Sequence, residues 1–85
     1  MLKVSDYVEA KGYIGDKWIN GKIKRIQKGD VGIVMKLGDD ELNPSVYVFW
    51  CSGELQNEEL EVLENQLNKI YEEKWYKRIT DISGE

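Results

Sequence analysis

Residues 32–63 read GIVMKLGDDELNPSVYVFWCSGELQNEELEVL, and this stretch decides the fold class. Gly32-Ile33-Val34-Met35-Lys36-Leu37 follows the turn signal Gly29-Asp30 and is rich in β-branched and apolar residues, so it predicts a strand. Gly38 to Pro44 breaks the pattern, with Asp39, Asp40, Glu41 and the Asn43-Pro44 pair marking a solvated loop. Val46, Val48 and Trp50 then alternate with Tyr47, Phe49 and Cys51 as a second strand. Both faces of that strand are apolar, so its outer face needs a cover, which the C-terminus can supply. Ser52-Gly53 closes it. Leu60, Val62 and Leu63, after Glu58-Glu59, suit either a last short strand or the start of a helix.

Toward the N-terminus, Val4, Asp6 and Val8 read as a first strand with Val4 and Val8 on one face and Tyr7 on the other. Lys11 to Lys28 reads as a long loop that doubles back as a short hairpin. Asn20-Gly21 separates Lys17-Trp18-Ile19 from Lys22-Ile23-Lys24 and fits a type I′ turn, with Ile23 and Ile26 returning to the core. Toward the C-terminus, Leu67, Ile70, Tyr71, Trp75 and Ile79 fall on one face of a helix. Glu64 near its start, Lys74, Lys77 and Arg78 near its end, and Gly84 beyond agree with the helix dipole and with a C-terminal stop. The spacing predicts a helix over 64–80 and a tail over 81–85. A helix of that length is marginal alone, so it should dock on the strands or on another copy.

The glycine-led strand Gly32-Ile33-Val34, the acidic loop, the strand ending Phe49-Trp50, the Ser52-Gly53 turn and the Leu60-to-Leu63 segment together resemble SH3-like barrels of the KOW and related types. The opening Val4-Ser5-Asp6-Tyr7-Val8 is similar to their first strand. The pattern also resembles small uncharacterised SH3-like proteins encoded by tailed bacteriophages, including cyanophages. The resemblance covers about residues 2–63 and implies a mainly β fold, a five-stranded SH3-like barrel over 1–63 followed by one α-helix. The long lysine-rich loop and the added helix depart from the minimal barrel. A peptide-binding SH3 domain pairs tyrosines with an acidic first loop, and here that loop is basic, so proline-motif binding is disfavoured.

Eighty-five residues hold one small domain. One cysteine excludes an internal disulfide, and the absence of histidine removes the commonest zinc ligand and acid–base group. The opening MLKVSDYVEA has no charged lead before a long apolar run, and no window resembles a membrane span, so a soluble cytoplasmic protein is expected, in the host cell for a phage product. Asp39-Asp40-Glu41 lacks the spaced ligands of a calcium loop and reads as a wet loop tip. Cys51 has no base to activate it and reads as core filler, and the run Glu58, Glu59, Glu61 and Glu64 reads as a solvated face. These residues point to no enzyme, no cofactor and no metal.

The net charge of −4 is unevenly spread: residues 16–28 carry an excess of four positive charges, and residues 29–66 an excess of eight negative ones. Two binding surfaces follow. Tyr71, Trp75 and Tyr76 supply stiff apolar area for a protein partner, although most of that helix stripe suits docking within the chain, leaving Tyr76 as surplus. Tyr13 and Trp18, interleaved with Lys22, Lys24, Arg25 and Lys28, could instead stack bases and neutralise phosphates of a nucleic acid. The expected function is a non-enzymatic protein-interaction module, phage-encoded and directed at a host or phage protein, with nucleic-acid binding as the alternative. Together with the resemblance to phage proteins, the acidic face further suggests a host-directed inhibitor occupying a basic, nucleic-acid-binding surface. The oligomeric state is left between a monomer and a homodimer through the C-terminal helix.

Overall fold

Hydrophobic alternation in the middle of the chain builds an antiparallel meander. In the computed structural model, which describes residues 1–39 and 41–83 (backbone only for Asp16, Asp81, Ile82 and Ser83), β4 (Val31–Leu37), β5 (Ser45–Trp50) and β6 (Glu59–Leu63) pair in sequence. Val34 faces Val48 and Val46 faces Val62 across the ladders, and these four side chains are buried together with Trp50. Gly32 lies opposite Trp50. A Cβ there would stand 2.5 Å from Val48 Cγ1 and 2.7 Å from the Phe49 carbonyl oxygen, so the closeness of the two strands requires glycine.

β1 (Tyr7–Ala10) joins the other edge of β4, and β7 (Leu67–Ile70) joins β1, giving the order β6-β5-β4-β1-β7. The edge strands β6 and β7 are separated only by a 3-10 turn (Glu64–Gln66) but do not pair with each other, so the sheet is not closed into a barrel. A separate hairpin, β2 (Ile14–Ile19) and β3 (Lys22–Ile26), occupies the connection between β1 and β4. Its turn is formed by Asn20 and Gly21, both at positive φ (52° and 78°), as the type I′ geometry demands. The chain ends in α1 (Glu72–Ser83). The architecture is thus mainly β with one C-terminal helix.

The hairpin and α1 cover opposite faces of the sheet. Val8 joins a core that includes Ile14 and Ile26 from the hairpin, with Ile19 packed against it. Its neighbour Tyr7 points the other way. There it meets Trp75 of α1, ring centroids 4.7 Å apart. The sheet is therefore covered on that side from the C-terminus, chiefly over β1 and β4.

Three expectations are corrected. The helix starts at Glu72, not at 64, because Leu67 to Ile70 pair with β1 as β7. Without β7 one edge of β1 would lose its hydrogen-bond partner, and that pairing overrides the helical spacing of Leu67, Ile70 and Tyr71 with the residues that follow. The partition at residue 63 therefore divides the main sheet, and the helix extends to Ser83, into the span expected as a tail. Gly84, the expected stop, lies outside the described residues. The first strand begins at Tyr7, since Ser5 sits at positive φ and Asp6 Oδ2 accepts the Lys3 backbone N–H at 2.8 Å, a tight turn that leaves Val4 exposed. Ile26 returns to the core as expected, but Ile23 is exposed.

Candidate functional site

The outer face of the β2–β3 hairpin is the clearest surplus of apolar surface. Register places Trp18 opposite Ile23, Lys17 opposite Lys24 and Ile19 opposite Lys22. Directly opposed residues share a face, and successive residues alternate, so Trp18, Ile23 and Arg25 look outward while Lys17, Ile19 and Lys24 look inward. A bulge between Ile14 and Asp16, with Gly15 at φ 37°, then restores Ile14 to the inner face. The same bulge sends Tyr13 outward, although five positions would put it opposite Trp18 in a regular strand. The Arg25 guanidinium accordingly lies 5.5 Å from the centre of the Tyr13 ring, within cation–π range. Trp18 is 69% exposed and Tyr13 60% exposed. Tyr13, Arg25, Ile23 and Trp18 form one continuous stripe on a hairpin whose other face is spent on the core.

The β period thus separates what the sequence interleaves. Of the basic residues expected to act with Tyr13 and Trp18, only Arg25 shares their face. Lys24 lies inward, Lys22 is exposed next to the turn on the inner side, and Lys28 lies beyond the end of β3. The β5–β6 loop answers the hairpin with acids. Lys17 Nζ pairs with Glu58 at 2.9 Å, the Arg25 backbone N–H donates to Glu54 Oε1 at 3.3 Å, and Gln27 Nε2 donates to Glu54 Oε2 at 3.1 Å. Part of the charge segregation along the chain is therefore an internal clasp.

The three aromatic residues expected to meet a protein partner do not form one surface. Trp75 turns inward against Tyr7, whereas Tyr71 is 86% exposed and Tyr76 62% exposed beside Glu72, Glu73 and Lys74. Glu9, almost fully buried, fastens α1 by accepting from Arg78 Nη2 at 2.9 Å and Lys74 Nζ at 3.3 Å.

Cys51 lies half-buried, and burial pushes its thiol above the usual range, with the Trp75 indole N–H opposing that shift more weakly. Trp75 Nε1 nevertheless makes no hydrogen bond of ordinary geometry. A thiol held protonated at neutral pH is a poor nucleophile. Asp40 of the acidic triplet lies outside the described residues, and among the described residues no group of histidine, cysteine and acidic side chains is arranged to hold a metal. Among the described residues no helix is long and apolar enough to cross a membrane.

Compared with models of known protein families, with curated proteins and with solved structures, the chain matches none.

The sequence singles out Tyr13, Trp18 and Arg25 by type, but the lysines grouped with them lie off their face, and Ile23, expected in the core, completes the stripe. The signal for Ile23 was available, because an Asn20-Gly21 turn sets Trp18 opposite Ile23, and the exposure of one implies that of the other.

Proposed function

We propose that this chain is a small, non-enzymatic protein-interaction module of SH3-like design that engages its partner through the outer face of the β2–β3 hairpin. One observation carries this reading: Trp18, Ile23, Arg25 and Tyr13 share an exposed face while the lysines of the same hairpin do not. Tryptophan, tyrosine and arginine are the residues that dominate binding energy at protein interfaces. A nucleic-acid surface needs the basic and stacking residues together, whereas here Lys17 is paired with Glu58 on the inner side and Glu54 accepts the Arg25 backbone N–H at the hairpin's edge.

The SH3-like reading draws support from the antiparallel meander and from β1 lying between it and the last strand. The resemblance to tailed-phage proteins supports a host or phage protein as the partner and the host cytoplasm as the setting. Docking of Trp75 on the chain's own sheet supports a monomer over a helix-mediated dimer. The covered, protonated thiol of Cys51 supports a binding role over nucleophilic catalysis.

The test is a nuclease-treated pull-down from host lysate with three baits: the native chain, Trp18→Ala, and a variant with Lys22, Lys24 and Lys28 changed to alanine. A protein retained by the native chain and the lysine variant but lost with Trp18→Ala is the expected result. Recovery of nucleic acid that depends on the lysines and not on Trp18 would sink this reading in favour of the basic segment.

A further inference from the structure

Four cations from three distant parts of the sequence line one cleft. Lys11 follows β1, Lys28 precedes β4, and Lys74 and Arg78 stand one turn apart on α1; with Glu9, Gly29 and Asn68 they line a space of about 320 Å³. Glu9 is the one acid among the described lining residues, which together carry an excess of three positive charges in a chain whose net charge is −4. Asp30 also feels the Arg78 charge, and counting it leaves an excess of two.

The cleft has fixed cations and available ones. Glu9 holds Lys74 and Arg78 in place, and the Arg78 guanidinium lies so close to Gly29 that a Cβ there would be 3.0 Å from Nη2. A guanidinium has five N–H donors, and the bond recorded to Glu9 uses only part of that fork. Lys11 and Lys28 are exposed, and among the described residues neither joins an ion pair. Glu9 offsets one of these four charges, and the remaining like charges repel one another unless a further anion enters the cleft.

We propose that this cleft binds a compact oxyanion of the phosphate class. Arginine offers planar paired donors to a tetrahedral oxyanion, and the three lysines complete its neutralisation as point charges. The surroundings favour a single anionic group over a nucleic-acid strand: a strand needs a basic track along successive phosphates, whereas these cations line one small cleft, and the first turn of α1, just before Lys74, is acidic with Glu72 and Glu73.

The experiment is an amide NMR titration of the native chain with inorganic phosphate, against sodium chloride at matched ionic strength. A second arm uses a short single-stranded oligonucleotide. Saturable shifts at Lys11, Gly29, Asn68 and Arg78 with phosphate alone are expected. The affinity should fall about tenfold or more in the double variant Lys11→Glu, Lys28→Glu, as loss of charge-assisted bonds implies. Both positions are exposed, so the rest of that variant's spectrum should be unchanged. No saturation, an equal response to chloride, or an unaffected double variant would overturn the proposal. Tighter binding of the oligonucleotide, with shifts spreading to Lys22 and Lys24, would overturn it too, by giving the surface to nucleic acid.

Discussion

The β2–β3 hairpin and α1 each present a tryptophan amid charged neighbours, and the two have opposite fates. Trp75 is folded against Tyr7, with Glu9 clamping Lys74 and Arg78 on either side of it in sequence. Trp18 points away from a hairpin whose inner residues already meet the core. The difference comes from what each element has to spend. A lone helix on a sheet must commit its apolar stripe to stay attached. The hairpin is held by Ile14, Ile19 and Ile26 and by the clasp to Glu54 and Glu58, so its outer aromatics are left over. Surplus apolar area, after the fold has taken what it needs, is the better guide to an interface than aromatic content.

The contrast predicts opposite outcomes for one substitution. Trp75→Ala should cost about 2 to 3 kcal/mol, somewhat below the usual loss for a fully buried tryptophan because Trp75 is only half-buried. Urea unfolding would measure it, with loss of helical circular dichroism ahead of the sheet. Glu9→Ala should cost about 1 to 2 kcal/mol, since it leaves two cations without their shared carboxylate but both are half-exposed to water. Trp18→Ala should change stability by no more than about 0.5 kcal/mol. The same variant should weaken partner binding by about 2 kcal/mol or more. A Trp18→Ala protein as unstable as Trp75→Ala would mean that the hairpin stripe is structural, and the comparison would fail.

How far the sequence reaches is set by whether the partner of each segment is local. Asn20-Gly21 specifies its own turn, and the alternation of 46–50 declares a strand, so both were legible. β7 was not, because Leu67 and Ile70 suit a helix face until β1, some sixty residues away, is known to need an edge partner. Val4 failed for the complementary reason: a local bond between Asp6 and the Lys3 N–H defeated an apolar alternation of only two residues. In the candidate site, the aromatic and cationic residues were legible by type. Their division between two faces follows from the turn and the β period, but the placing of Tyr13 beside Arg25 depends on the Gly15 bulge, which no periodicity announces. The cleft of Lys11, Lys28, Lys74 and Arg78 was not legible at all, since only the docking of α1 brings its halves together.

The smallest expected effect sits where hairpin, β5–β6 loop and helix meet. Asp30 lies at the base of the hairpin, its Oδ2 accepting the Gln27 N–H at 2.9 Å, and Gly53 is left without room for a Cβ by the same carboxylate. Burial raises the carboxyl of Asp30 above its usual range and Glu54 adds to this, while the Gln27 N–H and the Arg78 charge pull it back. A carboxyl whose folded value is raised favours the folded state when protonated. Its contribution is therefore fully present below the ordinary carboxylate range and is lost as pH rises through the raised value. At neutral pH the ionised Asp30 is a net cost to the junction between the two regions. Asp30→Asn keeps an oxygen to accept the Gln27 N–H and removes the charge, so it should raise the melting temperature slightly at pH 7 and leave it unchanged at pH 3. Melting curves of both proteins across that interval give the answer from their difference, in which the other carboxylates cancel. A variant less stable at pH 7 but equal at pH 3 would show that attraction to Arg78 outweighs burial, and would make Asp30 part of the clamp that holds α1 rather than a strain on the hairpin base.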